Sequence, residues 1–132
     1  MECFNEALRI RELRLGPDHE KVGDTLHNIG LVLKNLMRFD EAIFCYENSL
    51  RIRETLFGPL HNKVADTIYN IAIVYANSKR FSAALDRYKQ VLRTYREMGF
   101  NDDHPSVANT LQWIGWVQKQ FSKEVTEGAG SN

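Results

Sequence analysis

The chain has 132 residues, 43% hydrophobic and 26% charged, and its 17 basic and 17 acidic side chains cancel. That length suits one compact unit, and zero net charge removes the simplest electrostatic argument for nucleic acid or an anionic membrane as partner. No window of about 18 uncharged apolar residues exists, and the opening MECFNEALRIRELRL lacks a signal peptide's apolar core, so a soluble, reduced, cytoplasmic setting is expected.

Helical periodicity runs through the chain, and no strand-like alternation persists. A first pattern covers residues 2–14. The second, 20–36, carries Val22, Leu26, Ile29, Gly30 and Leu33. The third, 39–56, carries Phe39, Ala42, Ile43, Tyr46 and Leu50. The fourth, 62–78, has Val64, Ile68, Ile71, Ala72 and Tyr75; the fifth, 81–97, has Phe81, Ala84, Leu85, Tyr88, Val91, Leu92 and Tyr95. The sixth, 105–121, has Val107, Leu111, Ile114 and Gly115. Helices of the second, fourth and sixth kind are termed A, the others B. The final SKEVTEGAGSN is small and polar, so residues 122–132 are expected to be a disordered tail.

The patterns are copies. LGPDHEKVGDTLHNIG at Leu15 returns as FGPLHNKVADTIYNIA at Phe57, and 17 positions are identical when residues 15–56 are laid on 57–98. Unrelated segments share about one residue in fifteen to twenty, so the chain is an internal repeat of 42 residues. A third copy starts at DDHPSVANTLQWIG, where His104 follows His61 by 43. A fragment of an earlier copy opens the chain, with FNEALRIRE lying 42 before YENSLRIRE. The array therefore divides into a partial repeat 1–14, repeats 15–56 and 57–98, and a partial repeat 99–121, together residues 1–121.

Gly30, Ala72 and Gly115 share one repeat position, and Ala42 and Ala84 another. Small residues there let neighbouring backbones approach, and stacked copies bury what no single pair of helices can. Gly16 and Gly58 suit the ends of B helices, Pro105 suits a first helical turn, and Asp40 and Ser82 can cap or begin B helices. His19, His61 and His104 recur at the turn between repeats, which points to a structural role such as bonding a helix end. Cys3 and Cys45 lack metal-type spacing and read as structural thiols. No phosphate loop, nucleophile elbow or zinc motif is present, so neither an enzyme nor a cofactor nor a metal site is expected.

Leu26, Ile29, Gly30, Leu33, Phe39, Ala42, Tyr46 and Leu50 have the spacing of the tetratricopeptide repeat signature. The flanking LRIRETLFGPLHNKVADTIYNIA resembles the 42-residue form found in kinesin light chains. Tryptophan in some such repeats is replaced here by Leu26, Ile68 and Leu111. The resemblance implies an all-α fold, a right-handed α-solenoid of antiparallel helix pairs with about six helices, A helices lining a concave groove and B helices the convex side. It also implies a non-catalytic scaffold that holds a peptide or helix, with cargo adaptors or kinesin heavy chain as partners through a full-length protein.

Positions between the core residues of A helices are then the groove. In the first copy they are Asp24, His27, Asn28, Leu31 and Asn35. In the second they are Asp66, Tyr69, Asn70, Ile73 and Asn77, and in the third Asn109, Gln112, Trp113, Trp116 and Gln120. Asn28 and Asn70 match the family asparagine that bonds a peptide backbone, since an amide both donates and accepts. Trp113, Trp116 and Tyr69 offer aromatic anchors. Lys34 and Lys119 are the only lysines placed near this face, set against Asp24 and Asp66 on it, which weakens the case for a strongly acidic ligand. The basic residues Arg80, Arg87, Lys89, Arg93 and Arg96 gather on B helices, as on a solvated face.

Two alternatives are kept: the repeat sensor array of a nucleotide-binding signalling receptor, and an RNA-binding helical repeat, against which neutral charge and the long period both count. Apolar surface at each end of the array leads us to expect either further repeats or end-to-end self-association.

Overall fold

The computed structural model describes residues 19–130, with side chains through residue 124. Its elements are α1 (Glu20–Asn35), α2 (Phe39–Phe57), α3 (Asn62–Asn77), α4 (Phe81–Glu97) and α5 (Pro105–Gly130). Among the described residues there is no strand. The expected helix over 2–14, with Gly16, lies outside the described residues.

Each A helix starts on a histidine. The backbone N–H of Lys21 donates to Nδ1 of His19 at 3.1 Å, that of Lys63 to His61 at 3.1 Å, and that of Ser106 to His104 at 3.2 Å. The imidazole thus does what Ser or Asp does at other N-termini, satisfying a donor the helix cannot. Phe57 stacks on His61 at 4.3 Å and Phe100 on His104 at 4.1 Å, which fixes the rings over the helix ends. Pro105 opens α5, where its missing N–H costs nothing.

The A-to-B turns are also copies. Met37 and Lys79, one period apart, adopt φ of 61° and 62°. Behind them the N–H of Arg38 donates to the Leu33 carbonyl at 2.9 Å and that of Arg80 to Tyr75 at 2.8 Å. This closes α1 and α3 with the six-to-one bond of a Schellman turn. α2 and α4 follow at once, and neither has a side-chain N-cap. Asp40, in the first turn of α2, is engaged elsewhere: it pairs with Arg80.

Helices pack on their sequence neighbours, so the molecule grows by addition of pairs. Val22, Leu26, Ile29 and Leu33 of α1 form one continuous core with Tyr46, Leu50 and Ile52 of α2 and Val64, Ile68 and Ile71 of α3. Ala72, Tyr88, Ile114 and Val117 continue it to α5. The small residues do what their repetition predicts. A Cβ on Gly30 would lie 2.9 Å from the Tyr46 ring, which is itself 0% exposed. Ala42, Ala72 and Ala84 are fully buried.

The B layer is tied by charge. Arg80 pairs with Asp40 and Arg87 with Glu47, each bond joining α4 to α2. Arg96 pairs with Asp102 at 3.2 Å. Three of the five basic residues expected on a solvated face are thus ion-paired.

α5 continues through residue 130, past the end expected at 121, so helix covers most of the expected disordered tail. No proline interrupts Ser122 to Glu127, and extending a formed helix adds one bond per residue fixed. Leu111, at the position of buried Leu26 and Ile68, is 37% exposed because no B helix covers that flank of α5 among the described residues.

Candidate functional site

Of the outward positions of α1, α3 and α5, Asn28, Leu31, Asn35, Asp66, Asn77, Asn109, Gln112, Trp113 and Trp116 are exposed; Asp24, His27, Tyr69, Asn70, Ile73 and Gln120 are half-buried. All the expected site residues are therefore at or near the surface, but they do different work at the two junctions between repeats.

At the first junction Asp24 and His27 are already occupied. Arg53 of α2 reaches between α1 and α3 with its side chain only 8% exposed. Its Nη2 donates to Asp24 Oδ1 at 3.0 Å, and its Nη1 donates to Thr67 Oγ1 at 2.8 Å and to the Lys63 carbonyl at 3.3 Å. Nη1 also lies 3.1 Å from His27 Nδ1. Lys63 Nζ binds Glu20 at 2.8 Å and lies 3.5 Å from Asp24. Burial, reinforced by the Arg53 guanidinium, pushes the His27 imidazole down to about 4. It is neutral near pH 7, so Nδ1 can accept from Arg53.

Sequence reading missed Arg53. Its signal was present: it falls on the stripe of Tyr46, Ser49 and Leu50 at helical spacing, so an arginine sits on a core face. Ser49 on the same stripe donates to the Gly23 carbonyl at 2.7 Å. Both are polar groups that bridge a B helix to an A helix.

The second junction is aromatic. Tyr69 meets Tyr88 edge-on at 5.7 Å, the copy of the His27–Tyr46 contact at 5.2 Å. Tyr88 is parallel to Trp113 at 6.5 Å, and Trp113 meets Trp116 at 82° and 5.8 Å. Trp116 also abuts Phe81. The two indoles and Gln112 line a recess of about 230 Å³, with Trp113 41% and Trp116 44% exposed. Asn70 donates from Nδ2 to the Asp66 carbonyl at 2.9 Å, leaving its amide oxygen as a free acceptor.

Catalytic chemistry has little to draw on. Among the described residues no group of three or more His, Cys, Asp or Glu could hold a metal. Cys45 is buried, and burial with nearby Glu41 raises its thiol, which disfavours a thiolate. Cys3 lies outside the described residues. No helix among the described residues is long and apolar enough to cross a membrane.

No curated protein matches the sequence. A solved structure, the crystal structure of BtubC (BKLC) from P. vanneervenii, superposes with a TM-score of 0.80 at 20% identity, over 92% of this chain and 48% of that one. This chain thus spans about half the length of that protein, and the likeness is one of fold. The sequence profile of the tetratricopeptide repeat matches residues 22–97, more than half of the chain. The chain belongs to the tetratricopeptide repeat family.

Proposed function

We propose that this chain is a non-catalytic scaffold, acting in the cytoplasm, that holds a segment of another protein on the face formed by α1, α3 and α5. The observation that carries the reading is the exposed indole pair. Trp113 and Trp116 leave more than two-fifths of their surface to solvent in a recess they share with Gln112. Large aromatics are costly to hydrate and are the residues on which binding energy concentrates. Kinesin-light-chain-like binding of a cargo or adaptor segment is the form of this function that the repeat length favours. An RNA reading gains nothing from a face bearing Asp24 and Asp66, and no residue points to a receptor sensor.

The test is retention of arrayed dodecapeptides by wild type and by Trp113→Ala and Asn28→Ala/Asn70→Ala variants. Retention lost in the variants, with unchanged circular dichroism, supports the groove; equal retention by all three proteins removes it.

One observation favours a second contact, between copies. A Cβ on Gly115 would meet nothing within 4 Å, whereas the equivalent Gly30 is covered by Tyr46. Phe4 lies one period before Tyr46 in the sequence. Light scattering that stays monomeric across a hundredfold concentration range counts against it.

A further inference from the structure

The two junctions between repeats carry different groups, and the second lacks the guanidinium that ties the first together. At the first junction, Asp24, His27 and Thr67 converge on the Arg53 guanidinium. One period later the same positions hold Asp66, Tyr69 and Thr110, so the aspartate and the threonine recur and the histidine does not. The residue at the position of Arg53 is Tyr95, buried and uncharged. Asp66 is exposed and forms no ion pair among the described residues, although burial disfavours its charge and Arg53 and His61 act on it from a distance. Lys63, the ammonium nearest in sequence, is engaged by Glu20 and Asp24.

The first junction therefore shows, within the same chain, what this arrangement of groups binds: a guanidinium held by a carboxylate and a threonine. The second has the carboxylate and lacks the cation; there Tyr95 stands at the position of Arg53 and Thr110 is fully buried and bonded to the Ser106 carbonyl, so Asp66 alone is open to a ligand. Its aromatic wall, Tyr69, Trp113 and Trp116, adds faces on which an arginine or an apolar side chain can lie. Lys119 and Lys123 stand farther along α5, away from the Asp66 end.

We propose that the A face between α3 and α5 recognises an extended polypeptide segment that presents an arginine to Asp66 and a neighbouring apolar side chain to the Trp113–Trp116 corner. The inference rests on the groove reading above and adds the partner's chemistry. Charge complementarity selects this occupant over an acidic segment, which would bring a second negative charge to an exposed carboxylate that has no ion pair among the described residues. Arginine is favoured over lysine because its planar fork can pair with the carboxylate through two donors while its face rests on an aromatic ring.

The experiment uses three matched sets of immobilised dodecapeptides, identical except for arginine, citrulline or glutamate at the centre. Citrulline keeps the shape of arginine and removes its charge. Wild type is expected to retain on the arginine set at least tenfold more than on either other set. Asp66→Asn should abolish that preference, and raising salt should weaken it. If all sets are retained equally, or the glutamate set is preferred, the arginine proposal is overturned while the groove stands. If no set is retained, the groove and the proposal both fall. The arginine–citrulline comparison needs no variant, so it decides the matter even if Asp66→Asn folds poorly.

Discussion

Nη1 of Arg53 lies 3.1 Å from Nδ1 of His27, joining α2 to α1 through a guanidinium and an imidazole that must stay neutral to accept. Proton binding at His27 is therefore linked to folding. The unfolded imidazole titrates near 6.5 and the folded one near 4. Between those values the unfolded chain binds more protons, so stability is complete above pH 6.5 and falls as pH drops toward 4. The loss has an upper bound of about 3 kcal/mol. His27→Gln, which keeps an acceptor without a titrating ring, should flatten the dependence of the melting temperature on pH across this window.

Arg53 should matter more than any arginine of the B layer. Arg53→Ala removes the guanidinium that ties Asp24 to Thr67 across a packed junction, leaving Thr67 only its bond to the Lys63 carbonyl and Asp24 only the more distant Lys63. Because Asp24 is partly hydrated, a cost of about 2–3 kcal/mol is expected, below that of a fully buried pair. Arg80→Ala, at an exposed pair with Asp40, should cost under about 1 kcal/mol. Arg53→Tyr, which installs the residue of the next repeat, should recover part of the loss. Urea unfolding of the three variants checks the order.

The equivalent glycines should respond in opposite directions. Gly30→Ala places a methyl 2.9 Å from the Tyr46 ring, and overpacking of this kind costs about 1–3 kcal/mol, more than the helix propensity gained. Gly115→Ala meets nothing within 4 Å and should stabilise by up to about 1 kcal/mol. Thermal melts of the two variants should shift to opposite sides of wild type.

Histidine at the start of α3 acts as an acceptor for the Lys63 N–H. His61→Ala should cost about 1 kcal/mol, and His61→Asn, a strong N-cap residue, should cost less. Denaturant midpoints measured at equal slopes separate the two.

Much of this architecture is written in the order of residues. The 42-residue period fixed helix pairs because each copy repeats the same apolar spacing, turn and small residue, and local spacing is enough to define an amphipathic helix. Histidine at each turn foretold a bond at a helix end for the same reason. The end of α5 was misjudged because composition weighs small polar residues without weighing a helix already formed ahead of them. The outward positions of the A helices were also legible, since a core stripe dictates its opposite face. Three-dimensional packing decided which of those positions are engaged. Arg53 lies 29 residues from Asp24 and 14 from Thr67, and only the stacking of one pair on the next brings them within bonding distance. That stacking closes one junction with the chain's own guanidinium and leaves Asp66 without an ion pair among the described residues at the other, a difference that periodicity cannot express because it depends on which side chain crosses between layers.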